Sequence, residues 1–255
     1  MLPRDAIAAT IQASVARGRP ALVGYLTAGF PTRRRFLENL AAVAGSCDVV
    51  EIGVPFSDPM ADGTTIQRAS FTALADGVNL PWIIEQLKSV QPRIRAPILL
   101  MSYLNPLLAY GWRALPPAAA AAGVSGFIVP DLPYEESADL CQALEQEGLA
   151  LVQMVTPVTP PERLAKLCSA AKGFVYAVTM TGTTGKAVDV PDEVLQYMDR
   201  VKRCSSVPVC AGFGIRSRQQ VARLAPHVDG VVVGSALVET LERGESVKTF
   251  LESLR

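Results

Sequence analysis

Short apolar runs recur along the chain, and each is followed by a turn signal and then by a longer stretch with helical periodicity. The runs are nearly continuous in Val, Ile, Leu and Ala, which is typical of strands buried on both faces of a parallel sheet. Strands that alternate with helices build such a sheet through right-handed crossovers. The eight predicted strands cover residues 21–27, 47–52, 97–101, 124–129, 149–155, 173–178, 207–211 and 229–233.

Helices are predicted between these strands, with Pro and Gly at the junctions, and an amphipathic helix is predicted within residues 1–19. Eight βα units in 255 residues favour a closed (β/α)8 TIM barrel, whose usual size is about 250 residues, as a single domain with an extra N-terminal helix. An open, doubly wound sheet uses the same alternation and remains the alternative fold. The clearest predicted helices cover residues 33–44, 82–90, 135–147, 161–171 and 217–224.

The composition supports a large core and excludes several classes of partner. Hydrophobic residues make up 49% of the chain and charged residues 19%, which argues against disorder. Lys plus Arg and Asp plus Glu number 24 each, so no net charge attracts a nucleic acid or an anionic membrane. No apolar run has the length and continuity of a membrane span or signal peptide. We therefore expect a cytoplasmic protein.

The cysteines and the single histidine, His227, do not form a recognisable metal-binding pattern. No two cysteines are spaced as Cys-x-x-Cys, and their number is odd. We expect small core residues in a reducing cytosol and no metal site. The five cysteines are Cys47, Cys141, Cys168, Cys204 and Cys210.

Glu51 is the first catalytic candidate, because it ends the second apolar run. If Val50 and Ile52 face the helices, the alternation of a strand directs Glu51 into the barrel, where an uncompensated carboxylate is costly. Such burial raises a carboxyl pKa toward neutrality, as general acid/base catalysis requires. A structural role, bonded to a loop backbone or paired with a lysine, is the alternative.

The loop that follows Glu51 carries two more acids, Asp58 and Asp62. Asp58 precedes a proline and Asp62 precedes a glycine, so both fit ordinary turns on their local sequence alone. In a barrel, however, catalytic groups lie at the carboxyl ends of strands and on the loops after them. Both aspartates lie on such a loop.

Glycine-rich segments follow the sixth, seventh and eighth strands, and they are candidates for a phosphate site. They occupy residues 182–185, 212–214 and 234–235. Glycine lets a backbone approach a ligand, and barrels often bind phosphate at the loops after strands seven and eight. Each segment alone fits a tight turn, whereas all three at neighbouring strand ends favour an anion site. The polar loop at 179–190 has the composition of a lid.

Several of these segments together resemble the tryptophan synthase α subunit family. The longest resembling segment is EIGVPFSDPMADG at 51–63. The others follow in family order over nearly the whole length: YLTAG at 25–29, MSYLNP at 101–106, VPDLP at 129–133, GTTG at 182–185, GFGI at 212–215 and GSA at 234–236.

The resemblance implies a lyase that cleaves indole glycerol phosphate, with Glu51 and Asp62 as its catalytic groups. It implies substrate contacts by Tyr25, Leu100, Tyr103, Tyr176 and Thr184, of which Tyr103 lies near the glycerol part and Tyr25, Leu100 and Tyr176 surround the indole ring. Thr184 matches a residue that hydrogen-bonds the catalytic aspartate when the lid closes. The implied phosphate contacts are Gly185, Gly214, Gly234 and Ser235.

The family also implies a partner. Its members work as αββα complexes, in which indole passes through a tunnel to a β subunit that holds pyridoxal phosphate. No cofactor is expected in this chain. Residues 55–58 and 105–110 match the family's contacts with the β subunit, and Asp131 is a candidate for a supporting or partner-contact role.

The chain departs from the family pattern at positions that spare both catalytic acids. Thr64 stands where proline is common, which predicts a looser loop around Asp62. In the lid, Lys186 replaces a small residue and Thr183 replaces valine. Outside these segments, Tyr134 stands where proline is common, and Phe30 stands where an acid is frequent.

Three other functions compete with this interpretation. A stand-alone indole-releasing lyase would run the same chemistry without a β subunit. A different phosphate-binding barrel, such as an isomerase of aromatic or histidine biosynthesis, would place its acid/base groups elsewhere than in the 51–63 segment. A catalytically silent activator of a partner would not need both Glu51 and Asp62.

Overall fold

The computed structural model describes residues 1–179, 190–212 and 214–255. In this part of the chain, nine parallel strand segments form one sheet in the order β5-β4-β3-β2-β1-β9-β8-β7-β6. Their bounds are β1 Ala21–Thr27, β2 Val49–Gly53, β3 Ile98–Met101, β4 Val124–Ile128, β5 Ala150–Leu151, β6 Gln153–Val155, β7 Val175–Val178, β8 Val209–Gly212 and β9 Gly230–Val233.

The two ends of this strand order are consecutive in the chain, so the sheet curls into a nearly closed barrel. Only Val152 separates β5 from β6. β5 pairs with β4, β6 pairs with β7, and the amide of Val152 donates to the carbonyl of Phe127 at 2.9 Å. The predicted fifth strand thus serves both neighbours, and the expected eight-unit (β/α)8 barrel is confirmed over the open sheet.

Each strand sends alternate side chains to the inside and the outside of the barrel. Val50 and Ile52 pack outward in the cluster that contains the helices, whereas Val23 and Val49 belong to a separate cluster inside the barrel. Both layers are buried, which explains why the strands read as continuous apolar runs.

The helix before the first strand, α1 Pro3–Ala16, packs against β1, β2 and β4. Its Ile7 and Ile11 are fully buried in the interior cluster, so they cover the amino-terminal end of the barrel. The hydroxyl of Ser14 donates to the carboxylate of Asp48 at 3.0 Å, which anchors α1 to the entry of β2. The carboxyl-terminal end of the barrel, which α1 does not cover, is therefore the end at which a functional site is expected.

The remaining helices surround the barrel, and several begin or end within a few residues of their predicted bounds. Two predicted helices, at 33–44 and 135–147, each open with a short 3-10 turn, Arg33–Arg35 and Tyr134–Glu136. The helices are α2 Phe36–Ala44, α3 Thr64–Ala75, α4 Leu80–Val90, α5 Leu104–Tyr110, α6 Leu115–Ala121, α7 Ala138–Gln146, α8 Pro161–Ala170, α9 Asp192–Cys204, α10 Arg218–Leu224, α11 Ser235–Glu242 and α12 Val247–Ser253.

The cysteines divide between the core and the surface. Cys168 and Cys210 are buried as expected, but Cys204, the last residue of α9, is exposed. Within the described residues, no helix has the length and apolar character to cross a membrane, and no cluster of three or more His, Cys, Asp or Glu could hold a metal ion.

Candidate active site

Glu51 lies on β2, with its side chain inside the barrel. Its backbone pairs with Tyr25 of β1 on one side and with Leu99 of β3 on the other. The residue is 1% exposed, and among the described residues its Oε2 atom has no hydrogen-bond partner. A fully buried carboxyl oxygen without a partner is costly to a fold, so it points to a chemical role.

The environment of Glu51 favours the protonated acid. Burial, with a smaller contribution from the nearby charge of Asp62, raises the pKa of Glu51 to about 8. At neutral pH the group therefore holds a proton that it can donate.

Asp62 reaches the same region from the loop between β2 and α3. The amide of Asp62 donates to the carbonyl of Pro59 at 3.1 Å, and the side chain of Gln67 donates to the carbonyl of Asp62 at 2.9 Å. The Tyr103 hydroxyl accepts the amide of Ala61 at 2.8 Å. The loop is thus held on both sides of the catalytic candidate.

The pKa of Asp62 is also raised, but less. Burial raises it to about 6, and a hydrogen bond from the Tyr103 hydroxyl opposes the rise by favouring the carboxylate. Near neutral pH Asp62 is therefore mostly ionised while Glu51 is mostly protonated. Two neighbouring acids in different protonation states can act as donor and as stabilising charge.

Two tyrosines line the barrel interior above glycines of neighbouring strands. A Cβ atom at Gly53 would collide with the ring and hydroxyl of Tyr25, and one at Gly212 would collide with the ring of Tyr176. Each ring therefore needs a glycine beneath it. Burial raises the pKa of both tyrosines well above the usual range, and the charges of Glu51 and Asp62 add to the effect, so both rings lie near the acids.

Leu100 does not line this interior. It is fully buried in the outer cluster between the strands and the helices. Its neighbours Leu99 and Met101 face inward, and Met101 packs against the group of residues that contains Tyr25. Leu100 was expected to lie beside the indole ring, but its side chain faces away from the interior. The next residue, Met101, faces inward at this strand end, and sequence reasoning missed it.

The described phosphate candidates lie at the ends of two neighbouring strands, β8 and β9. Gly214 has φ +77°, a conformation that favours glycine, and follows β8 by two residues. Gly234 precedes α11, and Ser235 is its first residue. The amides of a first helical turn lack acceptors within the helix, so these residues suit an anion.

The lid candidates Thr184 and Gly185 lie outside the described residues. The same holds for Thr183 and Lys186, and for Phe213 in the loop after β8. Their predicted roles stay predictions.

A cavity of about 320 Å³ lies between the loops after β4 and β6. Asp131, Tyr134, Gln153 and Arg163 are among its lining residues, and neither Glu51 nor Asp62 is. Asp131 accepts the backbone amide of Leu104 at 2.9 Å, so it supports the start of α5. The chemistry of the acids, rather than this cavity, identifies the candidate site.

The loops on the face that carries Asp62 also expose large apolar side chains. Met60 is 83% exposed in the loop after β2, and Leu108 is 50% exposed on α5. Both belong to, or adjoin, the segments predicted to meet a partner. Phe56, within the first segment, stacks on Tyr103 with ring centroids 5.2 Å apart. This stack joins the loop that carries Asp62 to the start of α5, the helix that covers the second predicted partner segment.

The (β/α)8 barrel, with an acid pair at the carboxyl ends of its strands, defines a barrel enzyme. The chain belongs to the tryptophan synthase alpha chain family, whose model matches residues 11–254, and it is accordingly a lyase of tryptophan biosynthesis.

Sequence relatives and solved structures agree with this assignment. The tryptophan synthase alpha chain of Solidesulfovibrio magneticus is 45% identical over 96% of each chain, and that of Desulfovibrio desulfuricans is 46% identical over 94% of this chain and 96% of its own. A tryptophan synthase structure from M. tuberculosis, in its aminoacrylate-bound form, superposes with a TM-score of 0.88 at 35% identity, covering 98% of this chain and 97% of that one.

Proposed function

We propose that this chain is the α subunit that cleaves indole glycerol phosphate to indole and glyceraldehyde 3-phosphate, with Glu51 and Asp62 as its catalytic residues. The observation that carries the proposal is the unequal pKa of the two acids, with Glu51 raised to about 8 and Asp62 to about 6. The chain from residue 1 to 255 would form a single barrel domain in the cytoplasm.

Cleavage needs one proton delivered to carbon and one removed from oxygen. Protonated Glu51 donates to C3 of the indole, which leaves a positive charge on the ring nitrogen. Ionised Asp62 accepts a hydrogen bond from that N–H and stabilises the charge where it develops. The Glu51 carboxylate then takes the proton of the 3′-hydroxyl. As the C–O bond becomes a carbonyl, the C3–C3′ electrons return to the ring, and Glu51 is protonated again.

The remaining site residues would bind and orient the substrate. Tyr25 and Tyr176, together with Met101, would surround the indole ring, and Tyr103 would lie near the glycerol part. Gly185, Gly214, Gly234 and Ser235 would hold the phosphate, and Thr184 would hydrogen-bond Asp62 when the lid closes. Support comes from the strand ends at which the described members lie and from helix α11, whose first turn favours anions by ~0.3–1 kcal/mol.

The proposed partner is a tryptophan synthase β subunit in an αββα complex. Pyridoxal phosphate would be bound by that partner alone, with no cofactor in this chain. The exposed apolar side chains next to the catalytic loop support a partner on this face. The similar chains are tryptophan synthase subunits, which supports this function over a stand-alone indole-releasing lyase, and gel filtration of the chain with a β subunit tests it.

Replacement of Glu51 by glutamine tests the central role. Glu51→Gln keeps the shape of the side chain but carries no transferable proton, so we expect indole release to fall by about 100-fold or more while the fold persists. The measurement is indole release from indole glycerol phosphate, with and without the β subunit, alongside circular dichroism.

Asp62→Asn is the companion variant. Because its amide carries no charge, it should lose most of kcat rather than only affinity. Turnover of Glu51→Gln near the parent's rate would refute the role of Glu51, and a change confined to KM in Asp62→Asn would make Asp62 a binding group.

A further inference from the structure

Glu239 lies on α11, one turn after Ser235, and its carboxylate holds the loop that follows β8. Nη1 of Arg216 is 2.8 Å from Oε2, and Nη2 of Arg216 is 2.8 Å from Oε1. Such bidentate pairs between an arginine and a carboxylate are the strong and geometrically specific form of an ion pair. Arg216 follows Gly214 by two residues, so the pair joins the two described segments that the phosphate would contact.

The same carboxylate reaches the loop that carries Asp62. The hydroxyl of Thr65 donates to Oε1 of Glu239 at 3.2 Å. Thr65 lies in the first turn of α3, three residues after Asp62, and Gln67 in that helix donates to the carbonyl of Asp62. The start of α3 is therefore bonded to Asp62 on one side and to Glu239 on the other.

Glu239 remains ionised in this setting. The hydrogen bonds from Arg216 lower the pKa of its carboxyl against the opposing effect of burial. The side chains of Arg216 and Glu239 are 33% and 25% exposed, so the pair is only partly open to solvent. It can hold its geometry better than a fully exposed pair.

A second ion pair links α3 and α11 and, within the described residues, does not contact the proposed substrate segments, so it serves as a comparison for Glu239. Arg68 of α3 pairs with Glu242 of α11 at 2.6 and 2.8 Å. This pair joins the same two helices one turn further on, and its described contacts include neither the loop after β8 nor Thr65. Glu239 differs in that it joins three segments, each adjoining a residue assigned to the substrate.

We propose that Glu239 is a positioning residue, which fixes the distance between the phosphate-binding ends of β8 and α11 and the catalytic Asp62. A substrate bound by its phosphate then presents its indole nitrogen at the correct distance from Asp62. The inference rests on the proposed function, from which it takes the phosphate site and the role of Asp62.

Glu239→Gln tests this inference, with Glu242→Gln as the matched control on the same helix. The measurements are kcat and KM for indole glycerol phosphate, the inhibition constant of glycerol 3-phosphate and the melting temperature, each for the full chain with its β subunit. For Glu239→Gln we expect KM and the inhibition constant to rise, and kcat/KM to fall by about tenfold or more. Glu242→Gln should keep the parent's kinetic constants.

Thr65→Val separates the contact of Glu239 with Thr65 from its contact with Arg216. It removes the bond to Glu239 but leaves Arg216 in place, so kcat should fall while the inhibition constant of glycerol 3-phosphate stays at the parent's value. A purely structural role would lower the melting temperature without this split.

Three results would overturn the inference: parent-like kinetics in Glu239→Gln, an equal kinetic loss in Glu242→Gln, or an unchanged kcat in Thr65→Val. The last result decides the matter even if Glu239→Gln does not fold. Failure of the proposed function looks different, because the parent itself would then release no indole.

Discussion

At the scale of single residues, the site depends on two carboxyl groups in different surroundings. Glu51 is part of the barrel wall, where one of its oxygens has no partner among the described residues. Asp62 sits on a loop and receives a hydrogen bond from Tyr103. Burial raises both pKa values, and within the described part of the chain a hydrogen-bond donor opposes this rise for Asp62 but not for Glu51. Position in the fold thus assigns the proton to Glu51.

The pH dependence of kcat/KM should reflect this assignment. Activity should fall below about pH 6, because Asp62 becomes protonated, and above about pH 8, because Glu51 loses its proton. The two groups interact, so the apparent values belong to the pair. In Asp62→Asn the acid limb should disappear. An acid limb that survived there would belong to the substrate phosphate, whose second pKa is about 6, and would contradict the assignment to Asp62.

Glu51 should also make the fold less stable at high pH. Its pKa is about 8 in the folded protein against 4.5 for the free side chain, so the folded state holds the extra proton between these values. Stability attributable to this group is complete below about pH 4.5 and is lost as the pH rises to about 8. Glu51→Gln lacks this loss, and its melting temperature should exceed the parent's by several °C at pH 9 and by little at pH 5.

A matched control for this measurement is Glu85→Gln, on the exposed side of α4. It removes a carboxylate that water already hydrates, so its effect on melting should be small at both pH values. An equal melting difference at pH 5 and pH 9 in Glu51→Gln would contradict the burial of a neutral acid.

At the scale of elements, the apolar pattern of the sequence predicted the strands and the direction of their side chains. Eight strands were recognisable because both faces of each are buried, and the inward direction of Glu51 followed from strand alternation. The same alternation, carried across the register, pairs Glu51 with Leu99 and Gly53 with Met101. Leu100 is thereby directed outward. The sequence could not supply that register, because pairing depends on contacts between strands distant in the chain.

Other features were beyond local patterns for a similar reason. The contacts of Glu239 join residues that are 23 and 174 positions apart. Nor does the sequence show that Tyr25 lies over Gly53 and Tyr176 over Gly212, because each pair lies on two neighbouring strands. Glu51 could be proposed from its place in a strand and Asp62 from the family resemblance, whereas the residues that hold them required the fold.

The start of α3 offers a test of the Thr64 departure. Thr64 is the exposed first residue of that helix, and Gly63 before it has φ −73° and ψ 162°. A first helical position accepts proline, and this backbone before it is compatible with one. Thr64→Pro should therefore stabilise the protein by about 0.4–1 kcal/mol through the unfolded chain.

Thermal or urea unfolding measures this change, with Thr64→Ala as the control for loss of the threonine side chain. Activity in Thr64→Pro should stay near the parent's value, because Asp62 keeps its bonds to Pro59 and Gln67. A destabilised Thr64→Pro protein would show that the loop needs a conformation that proline forbids.

At the scale of the whole molecule, the loop that carries Asp62 shares one face of the barrel with several exposed apolar side chains. Met60 follows β2, Leu108 follows β3 and Val158 follows β6, and all three are at least half exposed. The carboxyl ends of parallel strands lie at the same end of a barrel, so these loops surround the site. The amino-terminal end is covered by α1 instead. A partner that receives indole would bind at the open end.

Leu108→Asp tests this orientation. It places a charge on α5, within the segment at 105–110, where an apolar contact with the β subunit is proposed. Complex formation, measured by gel filtration or calorimetry, should weaken by about 2 kcal/mol or more, and stimulation of indole release should weaken with it. Indole release by the chain alone should change little, because Leu108 is half exposed on α5, whereas Glu51 is buried inside the barrel. Phe71→Asp is the control: Phe71 is 51% exposed against 50% for Leu108, but it lies on α3 outside the proposed partner segments. Equal weakening by both variants would argue for a general effect of added charge and against binding at this face.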